Sequence, residues 1–322
     1  MSPVRLPALD ALRGLALLAM AIYHLSWDMF WFGVVDWPVD TAPGWRAFAA
    51  AIAGSFLFLA GASLTLAHSN GIRWRAFLRR EAIILAAAAL VSLSTWFAMG
   101  EGLVRFGILH AIAASSLIAL PFACLPGLVG IPLALLAGAT VIALPHLPDV
   151  PLFDGPWWLW LGLGDPGVSS VDYVPLVPWA GLALIGTAAG HLLRLPKAAA
   201  GAAAWQPSDS GSRLACFAGR HSLAIYLLHQ PVLFGALWLL AAVHLIPDRA
   251  STDFIDNCSF TCALGGVDEA ACRKICACTL TSLRSDDLWD NLLREPENMS
   301  LRDDMNNRHQ VCVLAFDPTG AR

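Results

Sequence analysis

Apolar residues fill seven stretches of the chain almost without interruption, at about 11–33, 46–68, 81–99, 104–123, 127–145, 174–194 and 220–245. Each reaches the roughly 20 residues that a helix needs to cross a bilayer. The pattern predicts an all-α polytopic membrane protein of about seven transmembrane helices over residues 1–246. A polar, cysteine-rich tail follows at 247–322. The first stretch carries Asp10 and Arg13 at its start and shows no clear cleavage site, so it is expected to be retained rather than removed as a signal peptide. Residues 195–213 are Ala-rich and then run Gln206-Pro207-Ser208-Asp209-Ser210-Gly211, which reads as a flexible connector.

Composition narrows the class. Hydrophobic residues make up 57% of the 322 and charged residues 14%, against about 25% charge in a soluble domain. With a mean hydropathy of +0.62, an ordinary water-soluble enzyme and a disordered chain are both excluded. A net charge of −4 and the lack of a basic stripe exclude nucleic acid as the expected partner.

Lys and Arg in short loops set orientation. Arg73, Arg75, Arg79 and Arg80 separate the second and third stretches, and Arg194, Lys197, Arg213 and Arg220 the sixth and seventh. The 146–173 loop holds Asp149, Asp154, Asp165 and Asp172 with no Lys or Arg. Alternation then predicts a cytoplasmic N-terminus, an external 146–173 loop and an external, periplasmic tail, in a bacterial plasma (inner) membrane. Trp157, Trp158 and Trp160 in that loop read as an interfacial anchor, with a lid over an outward-opening site as the alternative.

Six of the eight cysteines lie in the tail: Cys258, Cys262, Cys272, Cys276, Cys278 and Cys312. Two four-residue spacings place cysteines on single helical faces, so two short helices stapled side by side are expected. An even count in a small extracytoplasmic module favours disulfides, in any of 15 connectivities. Zinc, with His309 as an extra ligand, and free thiols are the alternatives. Cys124 and Cys216 sit in apolar sequence. Ser285, followed by Asp286 and Asp287, predicts a helix start, with Leu288, Trp289, Leu292 and Leu293 as its apolar face.

Ionisable residues inside spans are costly and point to function. The first stretch is richest. His24 lies eleven residues, roughly 16 Å, beyond Arg13, and Asp28 is one turn further on the same face. A carboxylate there would fix the imidazole tautomer and stabilise the imidazolium of a general base. Arg105 and His110 open the fourth stretch, and His229 precedes Gln230 and Pro231 in the seventh. These three are second-tier cavity candidates. His68, His191 and His221 fall near cytoplasmic ends and His146 and His244 near outer ends, where an interfacial position is expected. The small-residue run from Gly54 to Ser63 permits close helix packing. No metal-type His/Glu spacing occurs in the spans, so no metal is expected.

Ordered blocks now carry a resemblance. Leu9-Asp10-Ala11-Leu12-Arg13-Gly14-Leu15-Ala16, then Met20 and Tyr23-His24-Leu25-Ser26-Trp27-Asp28, are similar to the bacterial branch of the heparan-alpha-glucosaminide N-acetyltransferase catalytic-domain family. So are the blocks Phe58–Leu64, Phe106–His110 and Asp172–Trp179, and the similarity covers about residues 5–245. Arg13, ten intervening residues and His24 also resemble the first-span motif of membrane acyltransferases that modify envelope sugars, as Tyr226–Pro231 resembles their last-helix signature. The resemblance implies transfer of an acetyl or similar group from cytoplasmic acyl-CoA to an envelope sugar or glycan. His24 would be the base or a transient acyl carrier, Asp28 would orient it, and Arg13 would meet the CoA phosphates. The expected partners are the lipid bilayer and a glycan acceptor, with room for a homodimer. The rival is a non-enzymatic transporter or structural membrane protein with a polar cavity. Acyl-CoA binding or hydrolysis separates the two.

Overall fold

A computed structural model describes residues 6–68, 71–147, 151–165, 167, 170–243, 245–246 and 248–316. Arg5, Asp149 and His244 lie outside them. Thirteen α-helices occur in order among the described residues: α1 Pro7–Trp31, α2 Pro43–Ala67, α3 Trp74–Met99, α4 Ile108–Cys124, α5 Gly127–Ala143, α6 Leu176–Leu192, α7 Pro196–Ala204, α8 Ser210–Arg220, α9 Ser222–Ala242, α10 Arg249–Leu264, α11 Glu269–Ser285, α12 Leu288–Arg294 and α13 Met299–Phe316. The chain forms two compact units, one from Met1–His24 with Val39–Val232, the other from Leu25–Pro38 with Leu233–Arg322.

Each of the seven apolar stretches carries a helix, yet length separates them. Five helical segments among the described residues are long and apolar enough to span a membrane: Pro7–Trp31, Pro43–Ala67, Trp74–Gly102, Gly127–His146 and Ser222–Ala242. A sixth arises if α6 and the start of α7, bent by 99°, count as one broken span. Helix α4 has 17 residues, about 26 Å at 1.5 Å per residue, which falls short of a hydrocarbon core of about 30 Å. It begins at Ile108 because Gly107 is extended, so Arg105 precedes the helix instead of lying within it. The protein is a multi-pass membrane protein by these helices.

In the first unit, α6 packs against α2, α4 and α5. Small residues make this contact. A Cβ on Gly61 would collide with the Ala183 carbonyl oxygen, and one on Gly186 with that of Phe58. Backbones this close gain dispersion contacts that replace a hydrophobic driving force absent in lipid. The same unit encloses two of the histidines expected near cytoplasmic ends. His68 and His191 are buried, and their rings donate to the carbonyls of Leu64 at 2.9 Å and Phe122 at 3.0 Å. His146 and His221 are exposed.

The 195–213 segment is also corrected. It contains α7 and the start of α8. Pro196 occupies the first turn of an alanine-rich run, which favours helix from both ends of the propensity argument. Asp209 caps α8 by accepting the Ser212 N–H at 2.9 Å.

The second unit is held by three disulfides, Cys258–Cys276, Cys262–Cys272 and Cys278–Cys312, with Cα separations of 5.9, 5.7 and 5.9 Å. The first two cross-link antiparallel α10 and α11, and the third ties α11 to α13. Cys124 and Cys216 are free. Leu280, Leu283, Trp289 and Leu292 form the core beneath the staples. Ser285 ends α11 instead of starting the next helix, since its hydroxyl turns back to the Ser282 carbonyl; α12 starts after Asp287. Leu293 is exposed, outside the apolar face expected for it. Arg249 ties α10 to the end of α1 by stacking its guanidinium 4.4 Å from the Trp31 ring.

Non-reducing peptide mapping should recover these three pairs and alkylatable Cys124 and Cys216. Reduction should lower the unfolding temperature of the tail, because losing a native disulfide from a small domain costs about 2–5 kcal/mol. Three different pairs, or an unchanged transition after complete reduction, would contradict the arrangement.

Candidate functional site

In the first unit, a cavity of about 520 Å³ lies among α1, α2, α3, α4 and α9. Its polar lining comes from Arg13, Ser63, Arg79, Arg80 and Ser222. The apolar wall includes Phe56, Leu59, Ile84, Ile108 and Leu223, and Tyr226 closes the set.

The three arginines differ in how they are held. Arg13 donates to Asp10 Oδ1 at 3.1 Å and to the Ser63 hydroxyl, which joins α1 to α2. Arg80 pairs with the buried carboxylate of Glu81 at 2.5 Å and reaches the Ser116 hydroxyl at 3.2 Å. Arg79 is exposed and has no hydrogen-bond or ion-pair partner among the described residues. Arg13 was the residue picked out by sequence. Arg79 and Arg80 entered only as loop charges, although a cluster of cations at a helix start is itself a signal for phosphate binding.

At Tyr226 the cavity meets a group of histidines. His24 on α1 and His229 on α9 stack edge-to-face with ring centroids 4.9 Å apart. The His229 ring donates from Nδ1 to the Tyr226 carbonyl at 2.6 Å. Because that oxygen can only accept, Nδ1 carries the proton and Nε2 is left with its lone pair. Nε2 is buried without a partner among the described residues. An imidazole with a fixed tautomer and a bare nitrogen is equipped to accept a proton. The rings of Tyr226 and His229 are 5.8 Å apart, and that of Tyr23 lies 5.7 Å from His24.

Asp28 follows His24 by one turn within the continuous helix α1. Asp28 is fully buried and belongs to the second unit. Arg105 pairs with the exposed Glu101 carboxylate at 3.1 Å and does not line the cavity. His110 accepts the Gly107 N–H on Nδ1 at 3.3 Å and lies 5.4 Å from the Phe106 ring, so it serves the start of α4.

One acidic residue in this region was read from sequence as a loop charge and as the start of the Asp172–Trp179 block, without a role in the site. Asp172, half-buried, accepts the Ile108 N–H at 3.0 Å at the positive end of α4. A Cβ on Gly107 would collide with the same carboxylate oxygen, so a larger residue there would have to displace Asp172 from the Ile108 N–H. Burial pushes the Asp172 carboxyl up to about 6, and the Ile108 N–H pulls the other way. Nearby, the Tyr173 hydroxyl donates to the Leu159 carbonyl at 2.8 Å and secures the tryptophan-bearing loop.

The cavity combines three arginines, an apolar wall and the Tyr226 phenol, and outside its lining the His229 ring lies 5.8 Å from that of Tyr226 with His24 against it. Guanidinium groups beside an apolar wall can hold an anionic ligand with an apolar arm, and a neutral imidazole can accept a proton. No curated protein matches the chain. Residues 5–231 match the catalytic-domain family of heparan-alpha-glucosaminide N-acetyltransferase, which covers the cavity and His24, His229 and Tyr226 alike, and the chain belongs to that family.

Proposed function

We propose that the protein is a membrane acyltransferase that takes an acetyl or similar group from cytoplasmic acyl-CoA and delivers it to a sugar or glycan of a bacterial cell envelope. The observation that carries this reading is the cavity running from Arg13, Arg79 and Arg80 to Tyr226, with the His24–His229 pair beside Tyr226. The donor's chemistry fits this lining. Its phosphates suit guanidinium groups, and its pantetheine arm suits a half-apolar wall. The thioester would then lie at the Tyr226 end.

His24 is assigned as general base, with His229 sharing the proton. The acceptor's O–H or N–H lone pair attacks the thioester carbonyl carbon while its proton passes to the imidazole pair. Collapse of the tetrahedral adduct re-forms the carbonyl and breaks the C–S bond. The imidazolium returns the proton to the departing thiolate, giving free CoA. Asp28 is kept as a support for α1 near His24, and His110 and Arg105 as supports around the outer end of the cavity. The N-terminus is placed in the cytoplasm and the disulfide-bonded tail in the periplasm, which suits both the arginine distribution and the cysteine pairing.

Purified protein in lipid nanodiscs should bind acetyl-CoA and release free thiol from it, faster with an amino-sugar or polyol acceptor present. Failure to bind or cleave acyl-CoA, with transport of a solute instead, would overturn the reading. A reporter fused at residue 75 should be active inside the cell, and one after residue 322 outside. The reverse pattern would place the cavity's arginines away from the CoA pool.

A further inference from the structure

Tyr226 occupies a position no other described side chain shares. It packs against three separate apolar clusters, built around Leu57 and Ile108, around Ile84 and Leu109, and around Leu17 and Met20. It therefore sits where α1, α2, α3 and α4 converge on α9. It lines the arginine-bearing cavity, and its ring lies 5.8 Å from that of His229. A tyrosine so enclosed normally finds a partner for its hydroxyl. Here no described residue hydrogen-bonds it. The Asp172 carboxylate accepts the Ile108 N–H and is not hydrogen-bonded to Tyr226.

We propose that the Tyr226 hydroxyl is a catalytic hydrogen-bond donor to the carbonyl oxygen of the acyl group being transferred. This deepens the acyl-transfer reading above and rests on it. As the acceptor attacks, the carbonyl π pair moves onto oxygen, and the phenol O–H donates to that oxyanion without giving up its proton. The acceptor's proton goes to the histidine pair, so the two tasks fall to different groups. A donor held in place before reaction stabilises the developing charge without reorganisation, and removing one such donor costs about 10²–10³-fold in kcat. A tyrosine present only for packing predicts something else. Tyr226→Phe keeps the ring and breaks no hydrogen bond within the described protein, so it would leave stability and rate alike.

The test is Tyr226→Phe in full-length protein in nanodiscs, with acetyl-CoA as the probe and kcat counted per CoA-binding site so that misfolded material does not mimic the result. The expected outcome is an unchanged unfolding temperature, an acetyl-CoA affinity within about threefold of wild type, and kcat lower by about 10²–10³-fold. A kcat within threefold of wild type would overturn the proposal. So would a loss of stability and CoA affinity that accounts for the whole loss of rate. A wild-type protein that neither binds nor cleaves acetyl-CoA would instead defeat the acyl-transfer reading itself, and this inference with it.

Discussion

His24→Ala is expected to lower acyl transfer by about 10²–10⁴-fold, the contribution typical of a positioned general base, while leaving acyl-CoA binding near wild type. The cavity explains the split. His24 is absent from its lining, so the donor keeps its contacts when the imidazole is removed. His229→Ala should fall in the same range, because its ring is 4.9 Å from His24 and its Nε2 is buried without a partner among the described residues. Two groups that act on one proton are not additive. The double variant should therefore be no slower than the worse single variant, within about threefold. Multiplying defects would mean that the histidines serve separate steps. A fully active His229→Ala would return His229 to helix packing, and a fully active His24→Ala would remove the proposed base.

Helices α1 to α6 and α9 are legible in the sequence because each is its own apolar run, and a run of that length has few other uses. The helices α7 and α8 are not legible in that way. An alanine-rich segment with Pro at one end and Ser, Asp and Gly at the other satisfies a linker pattern as well as a capped helix. Pro196 in the first turn and Asp209 at the N-cap decide it. In the tail, four-residue cysteine spacing implied helices side by side, but one among 15 pairings depends on α10 and α11 being antiparallel, which spacing alone does not carry.

The site divides along the same line. His24 stands out because an imidazole within an apolar run is costly wherever it points. Its companion was sought locally, at Asp28, since sequence spacing reveals neighbours on one helix and nothing beyond it. The ring that meets it comes from His229, about two hundred residues away in the chain. Tyr226 was visible only as the first residue of the Tyr226–Pro231 block, with no role of its own, because a tyrosine in a membrane helix gains one only when its neighbours and its unpartnered hydroxyl are known. Arg79 and Arg80 were visible but absorbed into the orientation argument. Charges that mark the cytoplasmic side and charges that grip a cytoplasmic anion occupy the same place on the chain.

Arg79→Ala is expected to raise the dissociation constant for acyl-CoA by about 10–100-fold, the equivalent of one charge-assisted hydrogen bond. Among the three arginines it should have the cleanest effect. Arg13 is tied to Asp10 and Ser63, and Arg80 to Glu81 and Ser116, so a ligand must share or displace those partners. Removing either also strands a partner, most severely the buried Glu81 carboxylate. Arg79 has no such partner among the described residues, and its truncation disturbs little else. It is also exposed, so its contribution should shrink as salt rises from 50 to 500 mM, where the Debye length falls below about 8 Å. The loss should appear in Kd and KM with kcat preserved, since a phosphate contact is made equally in ground and transition states. Dephospho-CoA, which lacks the 3′-phosphate, identifies the group contacted: if Arg79 meets it, wild type should distinguish the two ligands and Arg79→Ala should bind them alike. An Arg79→Ala variant with wild-type affinity at low salt would leave Arg79 a topological charge and move the phosphate grip to Arg13 and Arg80.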